Sequence, residues 1–137
     1  MNSWDEEDYV KFNSLKQIKP SLKTYIAVGG WDAGGETFSA MVRFPGTRRA
    51  FIQSSLQFME KYGFDGIDID WEYPVAPDRG GNPLDKSRLV TFMREIKEAC
   101  GDRYGVAITL PASYCTCSVI MHGLAGVANL ARVSPRF

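Results

Sequence analysis

Phe64-Asp65-Gly66-Ile67-Asp68-Ile69-Asp70-Trp71-Glu72-Tyr73-Pro74 places four carboxylates within eight residues, three of them alternating with apolar residues. In an extended strand successive side chains point to opposite faces. Asp68, Asp70 and Glu72 therefore share one face, and Ile67, Ile69 and Trp71 share the other. The apolar face suits burial against a helix. The opposite face presents a row of acids at intervals of about 6.5–7 Å. No Lys or Arg within the run neutralises them, and such a row is costly to bury. Three readings compete: a solvated acidic face on an edge strand, a cation site, and acid catalysis by neighbouring carboxyl groups. An EF-hand is excluded, because its loop needs a Gly at position 6 and a Glu at position 12 behind the acids. Mg²⁺ held by strand carboxylates stays open. Trp71 and Tyr73-Pro74 closing the strand favour catalysis.

The flanks carry the same style of element. Upstream, residues 22–28 are rich in β-branched and aromatic residues and predict a strand that ends at Gly29-Gly30. Missing side chains there let a ligand approach the backbone, although an ordinary turn has the same sequence. Trp31 follows and offers a flat apolar face at a strand end, as a sugar platform or as core. Before this strand, Ser3 and Glu6 form a capping box for a helix with Val10, Phe12, Leu15 and Ile18 as its apolar face, stopped by Pro20. After it come a loop, a short helix over residues 36–43, and a long helix capped by Thr47. That helix shows Phe51, Ile52, Leu56, Met59 and Tyr62 at helical spacing, and Gly63 sits where a left-handed residue ends it.

Downstream of the acids lies a polar loop over residues 75–84. Asp85 caps a further helix with Leu89, Val90, Phe92, Met93 and Ile96 as its buried face. Residues 106–110 predict a third strand, stopped by Pro111. Helix and strand alternate three times, which predicts parallel strands with right-handed helical crossovers. Sites in such sheets form beyond the carboxyl ends of the strands. Gly29-Gly30-Trp31, Glu72-Tyr73 and Ser113-Tyr114 all fall there.

Asp65-Gly66-Ile67-Asp68-Ile69-Asp70-Trp71-Glu72 resembles the DGxDxDxE signature of glycoside hydrolase family 18, the chitinases and chitinase-like proteins. Tyr25 to Trp31 resembles the family's other short motif, SxGGW, in the expected order and spacing. Residues 75–81 and 111–114 are similar to the fungal secreted branch, and the likeness spans roughly residues 4–114. It implies an α/β fold, a partial (β/α)8 TIM barrel of about three parallel strands with flanking helices. A whole barrel takes about 250 residues. It further implies chitin or a chito-oligosaccharide as substrate and Glu72 as general acid. Asp70 would orient the substrate's acetamide, and Asp68 would share the buried charge. Trp31, Gly29, Gly30, Tyr73 and Tyr114 are implied as substrate-binding residues, with no metal and no cofactor. Two departures stand out. The family's Ser before Val-Gly-Gly is Ala27 here, and the later Met-x-Tyr-Asp strand motif and the barrel-floor Trp do not occur.

Composition agrees with an ordinary globular domain: 137 residues, 45% hydrophobic and 23% charged. Sixteen basic and sixteen acidic residues cancel. Nothing electrostatic therefore argues for nucleic acid or an anionic membrane, and no apolar run is long enough to span a bilayer. The acidic start lacks the apolar core of a signal peptide, which leaves the compartment open. Cys100, Cys115 and Cys117 are odd in number and lack metal-ligand spacing. His122 is the only histidine, which leaves little material for Ser-His or Cys-His catalysis. Residues 1–114 are expected to form the partial catalytic domain. Residues 115–137 contain no Asp, Glu or Lys and are expected to form a divergent C-terminal tail. Their origin is a changed reading frame or retained intron, or else a terminal helix over the sheet edge.

Overall fold

The computed structural model describes residues 3–110 and 131–133, with side chains described over residues 5–110. Among these residues, four helices and four strands follow in the order α1 (Ser3–Ile18), β1 (Tyr25–Gly29), α2 (Glu36–Arg43), α3 (Pro45–Tyr62), β2 (Gly66–Asp70), α4 (Asp85–Cys100), β3 (Gly105–Thr109) and β4 (Ala131–Val133). The strands form one parallel sheet in the order β1-β2-β3-β4. Three of them are the predicted strands, shifted by a few residues. The short β4 was not foreseen, and it extends the sheet beyond the expected three strands.

Register sorts the side chains into layers. Ile26, Ile67 and Val106 lie side by side, as do Val28, Ile69 and Ile108. This is the helix-facing surface, and Ile67, Ile69, Val106 and Ile108 are buried in it. Beneath it pack Ile52, Met59 and Tyr62 of α3 and Leu89, Phe92, Met93 and Ile96 of α4. Trp71, just past β2, turns to the same side and stacks on Phe38 with ring centroids 5.5 Å apart. The other surface carries Tyr25, Gly66 and Gly105, then Ala27, Asp68 and Ala107. A Cβ on Gly66 or Gly105 would collide with the Tyr25 ring. Tyr25 therefore lies flat across β2 and β3 and closes the amino-terminal end of this surface.

The structure corrects several local expectations. Val10, Phe12, Leu15 and Ile18 do not form the buried face of α1; all four are exposed. Tyr9 anchors the helix instead, edge-on to Phe58 and Tyr62 at 5.3 Å and to Phe64 at 5.7 Å. Ring contacts of this one residue hold α1 where a longer apolar face was expected. Thr47 does not cap α3. The helix starts earlier at Pro45, and the Thr47 hydroxyl donates to the carbonyls of Met41 (2.6 Å) and Phe44 (2.9 Å). Asp85 is the first residue of α4 rather than its cap, and its role is described below. Gly63 ends α3 as expected, with φ 77° and its N–H on the Met59 carbonyl. The Ser3 side chain of the capping box lies outside the described residues, as do Tyr114 and most of the 115–137 segment.

A polar cluster fixes the amino-terminal end of β2. Asp65 accepts from Lys16 at 2.5 Å, Lys23 at 3.3 Å and the Thr24 backbone N–H at 2.9 Å. Burial alone would raise its pKa, but these hydrogen bonds and the Lys16 charge outweigh it and hold the carboxyl at about 2. The Thr24 hydroxyl donates to Asn13, which ties α1 into the same cluster.

Candidate active site

Asp68 and Asp70 project from β2 onto the surface opposite the helices, as the alternation requires. Glu72 stands two residues beyond Asp70, past the end of the strand. The chain turns there through a cis peptide bond between Glu72 and Tyr73. Small neighbours leave room for the acids. Ala27 and Ala107 flank Asp68 in register, and Gly29 flanks Asp70.

The three carboxyls are crowded and poorly solvated. Asp68 and Asp70 each bury an oxygen, Oδ1, with no hydrogen-bond partner among the described residues. Burial raises the Asp68 pKa, and the Asp70 charge adds to it. Glu72 is also raised, first by burial, then by the charge of Asp70 and a hydrogen bond with it. Tyr73 and Arg79 pull the other way without reversing the direction. Tyr73 is itself raised by burial and by the charges of Glu72 and Asp70. Burial and mutual charge thus favour the protonated form of Asp68 and Glu72 more than in free carboxyls.

The end of β1 forms the adjoining wall. Gly29 and Gly30 adopt φ of 118° and 96°, a region that L side chains avoid. The space that a Cβ on Gly29 would take is already filled by the Asp70 carbonyl and the Phe38 ring. Close strand packing is thus the reason for glycine at this position. Gly30 faces Asp70 Oδ2, 3.6 Å from where its Cβ would be, and its N–H donates to the Asp70 carbonyl at 2.8 Å. Trp31 follows, 57% exposed, so it is not part of the core. Among the described residues, Gly29, Gly30, Trp31, Asp68, Asp70, Glu72 and Tyr73 thus converge at the carboxyl ends of β1 and β2. No cluster of three or more possible metal ligands occurs among these residues.

Sequence reasoning missed Arg79. It lies in a short 3-10 turn, Pro77–Arg79, in the loop after β2. There it stacks over Trp31 with its guanidinium carbon 4.0 Å from the ring centroid. An arginine within a polar loop carries no sequence signal for such a contact.

Motif, strand placement and the crowding of the carboxyls all point to one group of enzymes. The sequence model of "Glycosyl hydrolases family 18" matches residues 1–131. The chain belongs to glycoside hydrolase family 18. It is 44% identical over 95 residues to an endochitinase of Manduca sexta, covering 69% of this chain and 17% of that protein. Its structure superposes on the group IV chitinase of Ostrinia furnacalis in complex with allosamidin with a TM-score of 0.78 and 34% identity. That match covers 83% of this chain and 31% of the other. A second Ostrinia furnacalis domain, from a group II chitinase in complex with an N-acetylated chito-oligosaccharide, gives a TM-score of 0.76 at 29% identity, over 84% of this chain and 31% of that one. The chain therefore spans less than a third of the length of these relatives. Within that span, the open parallel sheet corresponds to part of their TIM barrel.

Proposed function

We propose that this chain carries the acid-bearing wall of a chitinase site, and that its substrate is β-1,4-linked N-acetylglucosamine. The observation that carries the reading is the placement of Asp68 and Asp70 on one face of β2, with Glu72 just past its carboxyl end, where burial and the Asp70 charge both push the Glu72 pKa up. A general acid must hold its proton near neutral pH to give it to the glycosidic oxygen. Glu72 is placed for that task, and its surroundings favour its protonated form. The family is an exception to the two-carboxylate scheme, because catalysis is assisted by the substrate. Glu72 protonates the leaving oxygen as the C1–O bond breaks, and the acetamide oxygen of the N-acetylglucosamine unit attacks C1. Asp70 orients that acetamide and stabilises the resulting oxazolinium ion, while Asp68 shares the buried charge. Water, deprotonated by the Glu72 carboxylate, then opens the ring with net retention of configuration. Trp31, Gly30 and Tyr73 line the approach. Tyr114 is assigned to the same site by the motif alone.

A second reading, carbohydrate binding without cleavage, is favoured by one observation. Among the described residues β1 is an edge strand, so the acids on β2 have a single strand between them and the sheet edge on that side. Water entering such a site weakens every electrostatic interaction in it. The 137-residue chain is therefore expected to bind N-acetylated chito-oligosaccharide and to give only trace hydrolysis. Product analysis by mass spectrometry checks this. Turnover in the range normal for enzymes, about 1–10³ s⁻¹, and lost in Glu72→Gln, would contradict the expected impairment while upholding the role of Glu72. Trace cleavage that survives Glu72→Gln would overturn that role.

A further inference from the structure

We propose that Arg79 is a positioning residue that joins the Trp31 indole and the Glu72 backbone into one unit, so that sugar platform and acid keep a fixed relation. The proposal rests on the chitin reading for what the unit does, and on geometry alone for the unit itself. Arg79 makes four different contacts, three of them to the loop that follows β1 and one within the loop that follows β2. Its guanidinium lies over the Trp31 ring with 4.0 Å to the centroid. Its Nη2 donates to the Trp31 carbonyl, and its Nε donates to the Glu72 carbonyl at 3.3 Å. Its own carbonyl accepts from the Gly35 N–H at 3.0 Å. Two glycines allow the loops to close this tightly. A Cβ on Gly35 would run into the Arg79 carbonyl, and one on Gly80 would lie 2.9 Å from Glu36 Cβ.

Arginine suits this place for physical reasons. Its guanidinium is planar and weakly hydrated, so it can stack on an indole while its edge donates to two carbonyls. The ammonium of lysine offers charge without the plane or the fork. Trp31 is exposed and without this contact would sample several rotamers. With it, one face of the indole is covered while the side chain stays 57% exposed. The charge also bears on Glu72, whose surroundings are Asp70 below, Tyr73 beside it and Arg79 across the loop. Of these, Asp70 raises the Glu72 pKa, and Tyr73 and Arg79 lower it.

The test compares Arg79→Ala and Arg79→Lys in the full chain. Trp4 is replaced by Phe in every sample, so that the remaining indoles are Trp31 and the buried Trp71. Three readouts are taken: acrylamide quenching of Trp31, the Glu72 carboxyl titration by ¹³C NMR, and calorimetric affinity for N-acetylated chitotetraose. Both variants should free Trp31, raising its quenching and weakening the sugar by about two- to fivefold, the worth of an exposed cation–π contact. The Glu72 titration should move up in Arg79→Ala and stay near its original position in Arg79→Lys, which a purely structural role would not produce. Unchanged quenching in Arg79→Ala overturns the proposal. So does a freed Trp31 whose loss leaves the Glu72 titration in Arg79→Ala where it was. If the unsubstituted chain fails to bind the sugar, the chitin reading fails instead, and quenching and titration still decide the role of Arg79.

Discussion

Asp68 shows how a candidate site residue is held at some cost to the fold. One of its carboxylate oxygens is buried without a hydrogen-bond partner among the described residues, a condition worth about 1–3 kcal/mol. Its neighbour in register is Ala27, where the family pattern has a hydroxyl. Because its pKa is raised in the fold, the protonated form is favoured there. Its contribution to stability is present below the ordinary value of 3.8 and is lost as pH rises through the higher folded value. Asp68→Asn should therefore raise the melting temperature at pH 7, by roughly 3–5 °C for about 1 kcal/mol in a domain of this size. At a pH below 3.8 the variant and the original should melt together. Asp65 behaves in the opposite sense. Its folded pKa is lowered from 3.8 to about 2, so its contribution is present above the ordinary value and is lost as pH falls through about 2. Asp65→Asn should cost about 2 kcal/mol at neutral pH and little near the acid end, as urea titrations at both pH values would show.

Helix α4 shows how an element is tied to the site from a distance. Asp85 is fully buried. It accepts from Ser39 Oγ at 3.0 Å and from the Asn82 N–H at 2.6 Å, and lies 3.4 Å from Arg88 Nη1. One carboxylate thus joins the start of α4, the loop after β2 and α2. Asp85→Ala would leave three donors without their acceptor, so a loss of about 2–3 kcal/mol is expected from chemical denaturation. Ser39→Ala on top of it should add little, because the two share one network. Elements of this kind were legible in the sequence where one local rule dominated. The acidic strand, the apolar faces of α3 and α4 and the Gly63 stop follow from period and backbone preference. Where contacts came from distant parts of the chain, local rules failed. Tyr9 anchors α1 through rings on α3 and beyond it, and no spacing within α1 signals that. Asp85 has the composition of a cap and serves as a cross-link. Arg79 finds Trp31 across 48 residues. The acids could be placed from sequence because strand alternation fixes their face. What surrounds them could not, since it is assembled by sheet register.

At the scale of the whole molecule, the sheet of the described residues is a piece of barrel wall. Its helical face is well covered, whereas among the described residues its acid-bearing face is closed only at the end where Tyr25 lies across Gly66 and Gly105. The edge of β1 has no strand beyond it among the described residues, and a groove of about 320 Å³ opens there between Tyr9, Val28, Phe51 and Phe58. Architecture of this kind can present a binding surface before it can exclude water from one. Sugar binding should therefore be a stronger property of this chain than sugar cleavage. Everything turns on whether the rim formed by Gly30, Trp31, Asp70, Glu72 and Tyr73 meets an N-acetylated sugar. Titrating the isotopically labelled chain with N-acetylated chitotetraose, and separately with its fully deacetylated counterpart, tests this most directly by backbone and carboxyl NMR. Shifts confined to residues 29–31 and 68–73, produced by the acetylated sugar alone, are the predicted result. Shifts centred on another surface, or equal responses to the two sugars, would contradict it.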